Sequence, residues 1–131
     1  MQPDQPSTRR LVRSGALAGA IAAVGTTTVA AVASAADVSL DVDDQAIPIA
    51  AFAWWTIIGA TVGVVLARLL RERRRFVVVT TVAVGLSLIP AIAAPDDTAT
   101  KAVLVGAHLL AAAIIISTLS RRLSPAPAGH L

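Results

Sequence analysis

Residues 49–94 read IAAFAWWTIIGATVGVVLARLLRERRRFVVVTTVAVGLSLIPAIAA, two long apolar runs joined by a short basic cluster. The first run, Ile49 to Leu70, carries Phe52, Trp54 and Trp55 near its start and meets Arg68, Arg71, Arg73, Arg74 and Arg75 at its end. Aromatic rings favour one membrane interface and arginines the cytoplasmic one, so this run reads as a helix that crosses a bilayer. The second run, Phe76 to Ala94, is rich in valine and would also suit a buried strand. Length decides for a helix, since about 19 residues match a bilayer crossing. A lone strand in lipid would leave its backbone groups unpaired at several kcal/mol each. Two antiparallel spans with a basic turn between them set the frame for the rest.

Upstream lies an acidic stretch, Asp37 to Pro48, with Asp37, Asp41, Asp43 and Asp44 and no basic residue, which reads as a water-exposed loop. Before it, Ser14 to Ala36 is uncharged and follows a basic tail, residues 1–13, that holds Arg9, Arg10 and Arg13. This is a weak span, built mostly of Ala, Gly, Ser and Thr, whose transfer to lipid is less favourable than that of a leucine-rich helix. Ala33-Ser34-Ala35 resembles a signal cleavage site, and Thr8-Arg9-Arg10 loosely resembles a twin-arginine signal. Removal of residues 1–35 is therefore the alternative to a retained helix. Retention is favoured because an uncharged stretch of about 23 residues exceeds the roughly 7–15 of a signal core.

Downstream, Pro95, Asp96 and Asp97 make a turn, and Asp97 or Thr98 can cap a fourth helix. Its membrane part runs from Ala102 to about Leu119, and Arg121 and Arg122 stop it. The tail 123–131, with Pro125, Pro127 and Gly129, is expected to be disordered. Pro90 lies late in the third span, where it removes one backbone donor and kinks the helix.

Composition agrees with this layout. The chain has 131 residues, 56% hydrophobic and 15% charged, against roughly 25% charged in soluble domains. Four spans of about 20 residues leave no room for a second domain. Zero cysteines exclude disulfides, thiolate metal sites and thiol redox chemistry. Without tyrosine and with two phenylalanines, the basic residues do not form the aromatic-interleaved patch of a nucleic-acid binder. Sorted by loop, ten arginines less Asp4 and Glu72 leave +8 on one side, Lys101 less six aspartates leaves −5 on the other, and together they give the net +3. This split predicts an all-α, integral membrane four-helix bundle with spans at about 14–36, 49–70, 76–94 and 102–119. Both termini are cytoplasmic, in the multi-pass arrangement of a cell-membrane protein.

Within that bundle, lipid removes the hydrophobic drive for helix association, so small residues must allow close packing. Gly15 and Gly19 are four apart on the first helix and Gly59 and Gly63 four apart on the second. They are read as packing faces, with Ala67 extending the second stripe and Gly85 and Gly106 serving the other helix pair. His108 is the ionisable side chain well inside a span, and intramembrane ionisable residues are functional candidates. At similar depth on antiparallel neighbours lie Ser87, Thr56 and Thr28. A buried polar layer of His108, Ser87, Thr56 and Thr28 is the structural reading, with proton relay or ligand binding as the functional one.

The chemistry of a known activity is incomplete. A bis-histidine haem site would need two copies of His108, and no acid lies within a span to couple protons as a small multidrug exporter does. The loop aspartates lack the glycine and glutamate of a calcium-binding EF-hand loop. No cofactor or metal is expected, and no enzyme activity. Arg71, Arg73, Arg74 and Arg75 are expected to hold anionic lipid headgroups at about 1 kcal/mol per residue. The expected partners are the lipid bilayer, those headgroups, and another membrane protein or a second copy of the chain.

The arginine-led first span, the Trp-containing second span with its Arg-rich end, the late proline of the third span, and the stretch TATKAVLVGAHLL from Thr98 to Leu110 resemble a family of short, uncharacterised actinobacterial membrane proteins with four spans. The resemblance implies an integral membrane protein and supplies no activity, substrate or cofactor. The expected function is a non-enzymatic interaction or envelope-associated module. The alternative is a small homo-oligomeric transporter or channel-like protein that uses His108.

Overall fold

A computed structural model describes residues 7–125, and its order is α1 (Thr8–Ala35), β1 (Asp41–Val42), β2 (Gln45–Ala46), α2 (Ile49–Leu70), α3 (Arg73–Ala93) and α4 (Thr98–Ser120). All four helices are long and apolar enough to cross a membrane. Helix boundaries follow local chemistry more than hydropathy. Helix α1 starts ahead of the uncharged stretch, because the Ser7 side chain caps it by accepting from the Arg10 backbone N–H at 3.3 Å. Arg9, Arg10 and Arg13 therefore stand on its opening turns. At the end of α2, Arg71 takes the left-handed conformation, φ 57°, and its N–H bonds the Ala67 carbonyl. That cap breaks the helix and turns the chain into α3 within two residues. Asp97 caps α4 by accepting from the Thr100 backbone N–H at 3.0 Å and from the Thr100 hydroxyl at 3.1 Å.

The acidic stretch forms a tight hairpin in place of an open loop. Asp41 pairs with Ala46 and Val42 with Gln45, and the two turn residues Asp43 and Asp44 have φ of 51° and 59°. Positive φ at both positions is the type I′ form of a two-residue hairpin turn, and Asp tolerates it better than most residues with a Cβ. The aspartates point to solvent, while Leu40 is buried and packs with Val38, Ile47, Phe52, Ala30, Ala33 and Ala107. The hairpin thus plugs the acidic end of the bundle with an apolar underside.

Helix α1 packs on α2 and α4, whereas α3 packs on α4 and, more lightly, on α2. On α1 the buried stripe runs Ser14, Gly15, Ala18, Gly19, Ala22, Thr26, Ala30 and Ala33. Its partner on α2 is Thr56, Ala60, Gly63 and Ala67. A Cβ on Gly19 would sit 2.9 Å from that of Ala60, and one on Gly15 would overlap the Val64 Cγ2. Gly63 faces α4, where a Cβ would lie 3.1 Å from Ile115 and 3.2 Å from Leu119.

Three of the expected packing glycines are corrected here. Gly59 has nothing within 4 Å of where its Cβ would be, and the same holds for Gly85 and Gly106. In α2 the α1-facing position is Ala60 and the α4-facing one is Gly63, which turns Gly59 outward. The basic end is closed by larger residues, since Leu11, Ala67, Phe76, Ile115, Leu119 and Leu123 form one cluster in which Phe76 is 0% exposed. Leu123 therefore belongs to the core, and Ser124 bridges Glu72. The expected disordered tail does not begin at residue 123, and residues 126–131 lie outside the described ones, as do residues 1–6 of the basic tail.

Candidate functional site

Four polar side chains were expected to share one buried layer, and the fold separates them. Ser87 Oγ on α3 and His108 Nε2 on α4 are 2.6 Å apart. Ser87 also donates to the Val84 carbonyl of its own helix at 2.8 Å. The Ser87 hydroxyl is thus shared between the Val84 carbonyl and the His108 ring nitrogen. The pair is not buried, because Ser87 is exposed and His108 half-buried on the outer face of α3 and α4.

Thr56 joins a different partner. Its hydroxyl donates to the Phe52 carbonyl at 2.6 Å and lies 3.0 Å from the Thr26 hydroxyl, in the buried seam between α1 and α2. Thr28 is exposed and bonds only back to Val24 at 2.7 Å. The layer is thus a buried Thr26–Thr56 pair and a peripheral Ser87–His108 pair. Depth alone suggested one layer, whereas the azimuth of each residue around its helix decides which neighbours it meets. Thr26, not Thr28, lies on the α1 stripe that also holds Ala22 and Ala30, and that periodicity is present in the sequence.

The basic cluster is likewise divided. Arg73 Nε donates to the Ser120 carbonyl at 2.8 Å and its Nη2 to the Leu123 carbonyl at 3.3 Å. Its backbone N–H reaches the Ser124 carbonyl at 3.0 Å. Arg73 thus adds donors to carbonyls at and just past the end of α4 and opposes the negative end of the helix dipole. Arg73 stays exposed beside these bonds, so part of its guanidinium is committed to α4 and the rest faces outward. Arg75 Nε pairs with Glu72 Oε2 at 3.2 Å on the surface, which offsets part of its charge locally. Arg71 and Arg74 are exposed.

A second basic feature was not singled out from the sequence. Arg10, Arg13 and Ser14 of α1 and Arg122, just beyond α4, line a concavity of about 350 Å³. The spacing i, i+3, i+4 on α1 was a readable sign, but Arg122 joins only because α1 starts and α4 ends at the same end of the bundle. At the opposite end, Asp97 is engaged as the α4 cap, and the Thr100 backbone N–H followed by its hydroxyl hold this carboxyl below the usual carboxylate range. It is therefore occupied as an acceptor where it would have to act as an acid or base.

Compared with known families, residues 6–125 match the one described as Family of unknown function (DUF6069). No curated protein and no solved structure matches the chain.

Proposed function

We propose, for a chain that belongs to the DUF6069 family of unknown function, the role of a non-enzymatic, multi-pass interaction module of the cell membrane with both termini on the cytoplasmic side. The observation that carries this reading is the separation of charge along the bundle. Arg10, Arg13 and Arg122 gather at one end, where Arg73 also reaches α4. The hairpin with Asp41, Asp43 and Asp44 closes the other. Between them the outer surface is apolar, with Leu17, Ile21, Val24, Val62, Val78, Val82, Leu86 and Ile89 all exposed. Lipid is the solvent that suits such a surface, and cytoplasmic placement suits the arginines. The exposed Trp54 and Trp55 sit near the acidic end, at the depth of the opposite interface.

With no cysteine in the chain, single cysteines report sidedness without background. Ser39→Cys is expected to react with a membrane-impermeant maleimide in intact cells, and Arg74→Cys only after permeabilisation. Labelling of Arg74→Cys in intact cells overturns the topology.

A second reading follows from the Ser87–His108 pair. A polar pair on the outside of one bundle lines no path within it, but an assembly of copies through α3 and α4 would enclose the pair. In that homo-oligomeric transporter or channel-like protein, proton flux into liposomes would be lost in His108→Ala. Flux that is absent in both forms, with the reconstituted protein intact, favours the interaction module.

A further inference from the structure

Three arginines line one concavity at the basic end. Arg10 and Arg13 come from the first turns of α1 and Arg122 from the chain just past α4. Among the described residues no carboxylate lines this space, and the Arg75–Glu72 ion pair lies at the start of α3. Like charges around a shared space repel, and an anion held among them converts that repulsion into attraction. Arginine presents planar, multiple donors suited to phosphate oxygens.

The fourth lining residue makes the concavity more than a basic patch. Ser14 is 6% exposed, yet its hydroxyl forms no hydrogen bond among the described residues. A buried serine or threonine inside a helix ordinarily returns its hydroxyl to a carbonyl three or four residues back. Thr56 and Thr80 do so in this chain. Ser14 instead faces the space that the arginines surround, where its O–H is a free donor. The hydroxyl is open to the concavity, so an oxygen of a ligand held there can accept from it.

We propose that Arg10, Arg13, Arg122 and Ser14 form a binding site for a phosphate monoester. Three cations and one neutral donor match a group that carries up to two negative charges and three terminal oxygens. A singly charged phosphodiester offers fewer oxygens and less charge. The same chemistry is presented by a phosphatidic acid headgroup and by a soluble phosphate. The site lies on α1 and α4, apart from the Arg71 to Arg75 cluster. Only the lipid source rests on the membrane orientation proposed above, since a soluble phosphate reaches the site in a detergent micelle whichever way the bundle faces.

The test uses the full chain purified in a neutral detergent. Short-chain phosphatidic acid, the corresponding phosphatidylglycerol and inorganic phosphate are titrated separately, with binding followed by microscale thermophoresis. Phosphatidic acid or inorganic phosphate is expected to bind, and more tightly than phosphatidylglycerol. Arg13→Gln and Arg122→Gln should each weaken binding about tenfold, in line with the loss of one charge-assisted contact. Ser14→Ala should weaken it several-fold, and Arg74→Gln should leave it within twofold. Because Arg122 lies beyond the last helical turn, its variant keeps the test open if a change in α1 impairs folding. Binding of phosphatidic acid alone assigns the site to lipid, and binding of inorganic phosphate alone to a soluble ligand. Binding of neither, or affinities unchanged in both Arg13→Gln and Arg122→Gln, overturns the proposal.

Discussion

Gly19→Leu is expected to destabilise the bundle by about 3 kcal/mol, the upper range for overpacking a tight contact, while Gly59→Leu is expected to be neutral or slightly stabilising. The two substitutions have the same chemistry and both fall in helix interiors, so propensity cancels between them and only the neighbours differ. At Gly19 a new Cβ meets the Ala60 Cβ at 2.9 Å. Ala60 has no rotamer through which to retreat, so α1 and α2 must move apart. That movement also pulls on the Thr26–Thr56 hydrogen bond two turns further along. At Gly59 nothing lies within 4 Å, and leucine there gains up to about 1 kcal/mol of helix propensity. Unfolding of each variant in mixed micelles, followed by tryptophan fluorescence, gives the comparison. Equal effects at the two positions would mean that the α1–α2 seam is not the close contact described here.

The contrast between Gly59 and Gly19 shows what the sequence could convey. Four apolar segments and their polarity were legible, because length and the sign of charge are sums over many residues and survive errors of position. The seam between helices was only half legible. A four-residue glycine spacing marks a face, but two neighbouring faces on α2 share Gly63, one through Gly59 and one through Ala60. The choice between them is made by α1, whose buried stripe needs Thr56, Ala60 and Ala67 opposite it. The same holds for the polar residues. Depth alone selects no partner for Thr56, and rotation about the helix axis fixes it, bringing Thr26 and not Thr28 to the seam. Arg73 is the clearest loss. In sequence it is one arginine of a cluster, and only the arrival of the α4 terminus, 47 residues later, gives its guanidinium carbonyls to bond. The hairpin at Asp41 to Ala46 was hidden because Asp-Asp is a less usual turn pair than Asn-Gly.

Deleting residues 1–35 is expected to abolish the folded bundle, because the weakest membrane segment by composition is the most enclosed helix. Small residues make α1 a poor match for lipid and a good one for other helices. It contacts both α2 and α4 and buries a stripe along its whole length, whereas α3, with its valines and leucines, is the most exposed of the four. Its removal leaves Thr56 without Thr26 and Ala60 without Gly19, and lipid offers no interlocking surface in return. The truncated chain should therefore elute from size exclusion in detergent as aggregate, where the full chain gives a discrete peak. A signal peptide predicts the opposite, since a segment destined for removal contributes nothing to the mature fold. Supplying residues 1–36 as a separate co-expressed peptide separates lost packing from a failure of insertion. If packing is the cause, the peptide restores the discrete peak, as independently stable membrane helices associate after insertion. It does not do so when it carries Gly19→Leu. A truncated chain that melts at the same temperature as the full one would reassign α1 to targeting and leave a bundle of three helices.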